Sequence, residues 1–310
     1  MMPQPIRVAL VGVFMAVAMT HAQNRSDPIG ADFVEVEAIV TNSEGEPVRG
    51  LRQEDFALRE DGRAVPILTF EEVSATGVGD SDEDGRTVVV LLDDTTLTLG
   101  GEKSIQALAR FVVAQMRPAD HVGVVRLTRR NDEPYGSQAD ALTRIAEYHP
   151  GAQPFFGRET VELVLKTIAR LSRQLEPIEH RRKAVICIGT PFVFDIQEPP
   201  EQRASLLWEP WLDVVRTSAR SNVAVYVVDP SGVGGARRRL SGAGIAARTG
   251  GFVLTNSNDF ERAIRQIWQE ASHYYLIGYA PVAAAKELHS ISAKVLKPNT
   301  RVRVRGGRSD

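Results

Sequence analysis

Cysteine is almost missing from this chain: Cys187 is the only one in 310 residues. A single thiol makes no internal disulfide, so the fold must stand on its core, which a chain of this length can supply. Cys187 lies inside the apolar run Ala184–Ile188, which marks it as a small buried hydrophobe rather than a nucleophile. Charge of one sign is missing as well. The 37 basic and 39 acidic residues leave a formal net charge of −2, so no overall basic field points to nucleic acid or anionic membrane. The local clusters Arg237–Arg239 and Arg301–Arg308 read as solvated faces. Beyond the N-terminus no run is long and apolar enough to span a bilayer. There is no Gly-x-Ser-x-Gly elbow, no P-loop and no His-x-x-x-His pair, which removes the common hydrolase, nucleotide and zinc sites.

What is present begins with a processing signal. Arg7 supplies a positive charge, Val8 to Met19 is a short apolar run, and Thr20-His21-Ala22 offers small residues at the −3 and −1 positions. Residues 1–22 therefore read as a cleaved secretory signal, with export to the periplasm or exterior as the expectation. Residues 23–32 read as a polar linker. Residues 33–73 alternate apolar and polar positions between turn clusters, and read as an N-terminal antiparallel β module of sandwich type. Its short strands are expected at Phe33–Thr41, Val48–Leu51, Phe56–Arg59 and Pro66–Phe70. Residues 74–86, rich in Gly, Ser, Asp and Glu, read as an acidic linker without the spacing of a calcium loop.

Over 87–272 buried-type strands alternate with amphipathic helices. Strands are expected at Val88–Leu92, Val122–Leu127, Lys183–Ile188, Asn222–Asp229 and Phe252–Leu254. Helices are expected at Glu102–Met116, Ser137–Tyr148, Glu159–Leu175, Ala204–Arg220, Leu240–Arg248 and Asp259–Ala271. This is the pattern of an α/β fold with a doubly wound, mostly parallel sheet. Residues 273–310 return to β, and open the possibility of one flanking module built from both ends of the chain.

The run Thr87–Thr98, TVVVLLDDTTLT, carries the candidate chemistry. Ligands of such sheets bind just past the carboxyl ends of the strands. Asp94, Thr96 and Thr98 spell Asp-x-Thr-x-Thr there, a set of hard oxygen donors suited to Mg²⁺ or Mn²⁺. Asp93, which directly follows the apolar strand, gives a second register, Asp-x-Thr-x-Leu, one hydroxyl short. The segment resembles the first part of the metal-ion-dependent adhesion site of von Willebrand factor A (VWA) domains. With Gly45-Glu46-Pro47-Val48, Glu54-Asp55-Phe56, Glu60-Asp61-Gly62, Arg182–Val185, Asn222–Tyr226, Val228-Asp229-Pro230, Thr249-Gly250-Gly251 and Tyr274–Tyr279, the chain resembles the secreted VWA-related proteins of the acidobacterial type. That resemblance implies export and a VWA-like fold, and no established activity.

A complete adhesion site adds a threonine from a second loop and an aspartate after a later strand, and leaves one position for a partner's carboxylate. Thr160, in Gly157-Arg158-Glu159-Thr160, matches the second-loop threonine and equally reads as a first-turn helix residue. The third element departs from the pattern: Gly189-Thr190-Pro191 stands where Asp-Gly is expected, and the nearest carboxylate is Asp195. Asp93 and Asp94 read alternatively as strand-end carboxylates that accept backbone N–H groups. Gly242-x-Gly244-x-x-Ala247 lacks the position and the acidic partner of a dinucleotide loop. The expectation is a non-enzymatic, adhesion-type protein-interaction protein with a degenerate metal site. The alternatives are a metal-free structural component of an envelope assembly and a metal-dependent hydrolase.

Overall fold

The structure, a computed structural model, describes residues 34–74, 85–95, 101–129, 132, 134–151, 158–178, 182–189, 205–233, 243–255, 257–282 and 289–305. The signal stretch 1–22, Thr96, Thr98 and Asp195 lie outside these residues. Strands β1 (Val34–Thr41), β2 (Phe56–Glu60), β3 (Arg63–Val65) and β4 (Ile67–Ser74) come first. Then β5 (Arg86–Leu92), α1 (Gly101–Ala114), β6 (His121–Arg126), α2 (Gln138–Ala146), α3 (Arg158–Leu175) and β7 (Arg182–Ile188) follow. They lead to α4 (Trp208–Arg220), β8 (Val223–Val228), α5 (Ala243–Thr249), β9 (Val253–Leu254) and α6 (Phe260–Glu270), and then to β10 (His273–Tyr279), β11 (Ile291–Val295) and β12 (Arg301–Arg305).

The central sheet is parallel throughout, in the order β6-β5-β7-β8-β9. The middles of its strands, Val88–Leu92, Val122–Val125, Ala184–Ile188 and Val223–Val228, carry no charged residue because both faces are covered. Val88, Val90, Leu92, Ile186 and Tyr226 pack with Ile105 of α1, Ile145 of α2 and Ile264 of α6. The alternate set Val89, Leu91, Val185, Cys187 and Val225 packs with Ile168 of α3, Leu212 of α4 and Ile245 of α5. The fold is doubly wound: from β5 the chain moves to β6 on one side and comes back to β7 on the other. The switch point, where such folds open a crevice, therefore lies between the ends of β5 and β7.

Two antiparallel sheets flank it, β12-β1-β10-β4 and β11-β2-β3. Both ends of the chain build them: Ala38 of β1 lies between Tyr275 of β10 and Val304 of β12. Pro66, which cannot donate to a ladder, separates β3 in one sheet from β4 in the other. Val36, Ala38, Leu58, Tyr275, Ile277 and Tyr279 form the core between them. Val48–Leu51, expected as a strand, is not one. An isolated bridge joins Thr41 to Pro47, and the Tyr275 hydroxyl then pins the loop, donating to the Val48 carbonyl at 2.7 Å and accepting from the Leu51 N–H at 3.2 Å. The expected linker 74–86 gives up its ends, Ser74 to β4 and Arg86 to β5.

Buried charges join the antiparallel layer to the N-terminal edge of the parallel sheet. Arg182, at the start of β7, pairs with Glu37 of β1 at 2.9 Å and lies over the Tyr274 ring at 3.9 Å. Asn222 donates to the other Glu37 oxygen at 2.6 Å. Arg303 of β12 pairs with Glu270 of α6, and Arg86 pairs with Asp120 while reaching the Ser272 hydroxyl at 2.9 Å. These contacts occupy the N-terminal edge and leave the C-terminal edge to the loops.

Candidate functional site

Asp93, Asp94 and Thr95 follow β5 directly, at the switch point, and all three are buried. Asp93 is held by its own loop. Its Oδ1 accepts the Thr95 N–H at 2.9 Å and the Thr95 hydroxyl at 2.6 Å. Its N–H continues the ladder to the Ile188 carbonyl at 3.1 Å, and its carbonyl accepts the Tyr148 hydroxyl at 2.8 Å. Asp94 points elsewhere. Its Oδ1 accepts the Thr128 N–H at 2.9 Å, and its Oδ2 accepts the Thr128 hydroxyl at 2.5 Å. Its carbonyl accepts the Gly151 N–H at 2.7 Å. The two adjacent carboxylates thus take hydrogen bonds from different loops.

Gly189 closes the β7 side. A Cβ built there would stand 2.3 Å from the Cβ of Asp93 and 3.2 Å from its Cγ, far inside contact distance. Only a residue without a side chain fits against Asp93, at the position where the adhesion pattern expects aspartate. Asp229, after β8, is buried and accepts the Ser231 N–H at 2.9 Å. Thr160 is half-buried in the first turn of α3, whose N-terminus lies at this same edge.

The surroundings are chemically quiet. Burial, followed by the charge of Asp93, pushes the Cys187 thiol up, so it stays protonated. Burial, then Asp93, Asp94 and Glu102, pushes the Tyr148 phenol up and keeps it a donor. Of the histidines, His149, next to Tyr148, bonds Glu102 at 3.1 Å, His121 is an exposed residue opening β6, and His273 bonds Glu72 at 2.8 Å and packs edge-on against Tyr275.

A Mg²⁺ or Mn²⁺ ion needs near-octahedral oxygen donors converging on one point. Among the described residues two features work against such a set: each oxygen of Asp94 already accepts a bond from Thr128, and Gly189 leaves no room for the third acidic side chain. Among the described residues no three of His, Cys, Asp and Glu come together as a metal set. Thr128, Tyr148 and Gly151 were not singled out by the sequence. The one signal for Thr128 is its place two residues past β6, matching that of Asp94 two residues past β5.

No family model matches the chain, and no curated protein does. Among solved structures it is similar to the manganese-loaded TRAP protein of Plasmodium vivax, with 12% identity over 78% of this chain and 96% of that one, at a TM-score of 0.37. It is similar to proximal thread matrix protein 1 of the mussel byssus with a zinc-occupied MIDAS motif, with 14% identity over 68% of this chain and 50% of that one, at a TM-score of 0.42. The TFIIH p34 N-terminal domain shares 11% identity over 62% of this chain and 99% of that one, at a TM-score of 0.33. At such identities and scores these likenesses say nothing of what this chain binds. The fold itself is α/β, a doubly wound parallel sheet flanked by antiparallel ones.

Proposed function

We propose that the chain is an exported, non-enzymatic protein-interaction protein that meets its partner at the C-terminal edge of the parallel sheet, beside a degenerate metal-ion-dependent adhesion site at Asp93, Asp94, Thr96, Thr98 and Thr160. The observation that carries this reading is where the exposed apolar side chains stand. Among the described residues the two most exposed large ones are Leu206 at 72% and Val233 at 64%. Leu206 precedes α4, on the path from β7, and Val233 follows β8. Single exposed apolar residues are ordinary on a surface. Both stand on connections that leave the C-terminal ends of neighbouring strands, β7 and β8, and we read them as apolar contacts of the partner face.

Export rests on Arg7, the apolar run to Met19 and Thr20-His21-Ala22. No helix among the described residues is long and apolar enough to cross a membrane. A second reading, a metal-free structural component of an envelope assembly, is favoured by the close packing of Gly189 on Asp93. A hydrolase reading requires a further carboxylate or histidine beside Asp93.

The test places a photo-crosslinking residue at 206, at 233 and, as control, at 54 on the antiparallel layer, in the full chain expressed in an exporting host. The expected result is one crosslinked protein from 206 and 233, absent from 54 and lost in Val233→Glu when read from 206. Crosslinks that arise only from 54, or that ignore Val233→Glu, overturn the reading. N-terminal sequencing of the exported chain should start at Gln23.

A further inference from the structure

We infer that Asp94 is a protein strut rather than an ion ligand, and that the C-terminal edge takes its partner without a bridging divalent cation; this rests on the reading of that edge as the partner face. In an adhesion site the ion draws separate loops together. Here hydrogen bonds do that work. The Asp93–Asp94 pair receives Thr128 from the turn after β6, and Tyr148 and Gly151 from the segment after α2. On its other side Asp93 meets the end of β7 through Ile188 and Gly189. Three loops converge on two residues, and apart from the close packing of Gly189 each contact is a donor of this chain meeting an oxygen of this chain.

The Thr128 contact is the strong member. A hydroxyl and a backbone N–H from one residue meet the two oxygens of one carboxylate, and bonds to an ionised acceptor are stronger than neutral ones. Asp94 is 6% exposed, so little water competes for it. Thr128 fills two of the roughly four acceptor sites of this carboxylate and fixes its direction toward the β6 turn, so an ion that turned Asp94 toward itself would do so against both bonds. A partner that docks here therefore needs no acidic side chain to complete an ion's coordination shell, and meets the exposed apolar side chains of Leu206 and Val233 instead.

The test is thermal unfolding of the full chain in EDTA, in MgCl₂ and in MnCl₂, for the wild type, Thr128→Val, Thr128→Ser, Asp94→Ala and the double variant Asp94→Ala/Thr128→Val. The wild-type midpoint should be the same in all three solutions. Thr128→Val should lower it by about 4–8 °C in each, Thr128→Ser should restore most of that, and the double variant should lose little more than Asp94→Ala alone. A midpoint that rises with Mg²⁺ or Mn²⁺, with the rise lost in Asp94→Ala, overturns the proposal, as does additivity of the two single losses. Thr128→Val leaves the N–H bond in place and is expected to fold. Because the probe is the metal alone, this outcome is independent of the crosslinking result at 206 and 233.

Discussion

Replacing Gly189 with aspartate restores on paper the acidic residue that an adhesion site expects after β7, and the protein should be less stable for it. A Cβ at this position lies 2.3 Å from Asp93 Cβ and 3.2 Å from Asp93 Oδ2. Carbon pairs rest at about 3.5–4.0 Å, so one strand end must move by roughly 1 Å. Neither end is loose: the Asp93 N–H bonds the Ile188 carbonyl at 3.1 Å, and the Gly189 N–H bonds the Val228 carbonyl at 3.2 Å. Overpacking of this kind costs about 1–3 kcal/mol, and an added carboxylate beside Asp93 increases the loss through like-charge repulsion. Gly189→Ala measures the steric part alone, and at about 2–4 °C per kcal/mol it should lower the midpoint by roughly 2–12 °C. Thermal unfolding read by the fluorescence of the buried Trp208, Trp211 and Trp268 is a suitable assay. The reasoning is refuted if Gly189→Ala unfolds at the wild-type midpoint, or if Gly189→Asp becomes the more stable protein once Mn²⁺ is added.

Other outcomes follow from the same contacts. Arg182→Ala strands the buried Glu37 carboxylate and should cost about 3–5 kcal/mol in urea unfolding, most of which Arg182→Met with Glu37→Leu should recover. Tyr148→Phe removes one bond to the Asp93 carbonyl and should cost about 0.5–1.5 kcal/mol by the same assay. Acid should destabilise the protein through Asp120. Burial alone would raise its carboxyl, but the Arg86 side chain and the N–H groups of Arg117 and Arg86 outweigh burial and hold it below the ordinary range. The unfolded carboxyl binds its proton near pH 3.9 while the folded one still resists, so stability present above about pH 4 drains away below it. Midpoints measured from pH 6 to pH 2 should fall in that lower window, and Asp120→Asn should flatten the fall.

The parallel sheet was legible in the sequence because its signals are local. A strand buried on both faces is a continuous apolar run, and each such run is followed by a helix with its own periodicity. Ser137 announced α2, and it caps that helix, accepting the Asp140 N–H at 3.1 Å. A start without such a signal drifted: α4 begins at Trp208 rather than Ala204, while the expected start of α5 at Leu240 lies outside the described residues. The flanking sheets were legible only as strands. The partners of β1 are β10 and β12, more than two hundred residues away, and alternation says which face is buried without saying against what. Val48–Leu51 misled because the Val48 carbonyl and the Leu51 N–H bond a tyrosine hydroxyl where a strand would offer a ladder.

At the site, the sequence put two carboxylates at the end of β5 and left both registers open. Asp93 takes the bonds of the Asp-x-Thr turn with Thr95, whereas Asp94 is turned to Thr128, thirty-four residues on. Nothing local to Asp94 encodes that choice, since it depends on β5 and β6 lying side by side. Gly189 was visible as a departure from the adhesion pattern. Its reason, the Asp93 side chain packed where a Cβ would be, needed the sheet order.

The central claim is that the carboxylates after β5 hold loops of this chain and not a cation. The most direct measurement is a titration of Mn²⁺ into the full-length protein, with free Mn²⁺ read by its electron paramagnetic resonance signal. The free signal is expected to rise in step with added metal, as it does in buffer. Saturable uptake of about one ion per chain, abolished by Asp94→Ala, contradicts the claim.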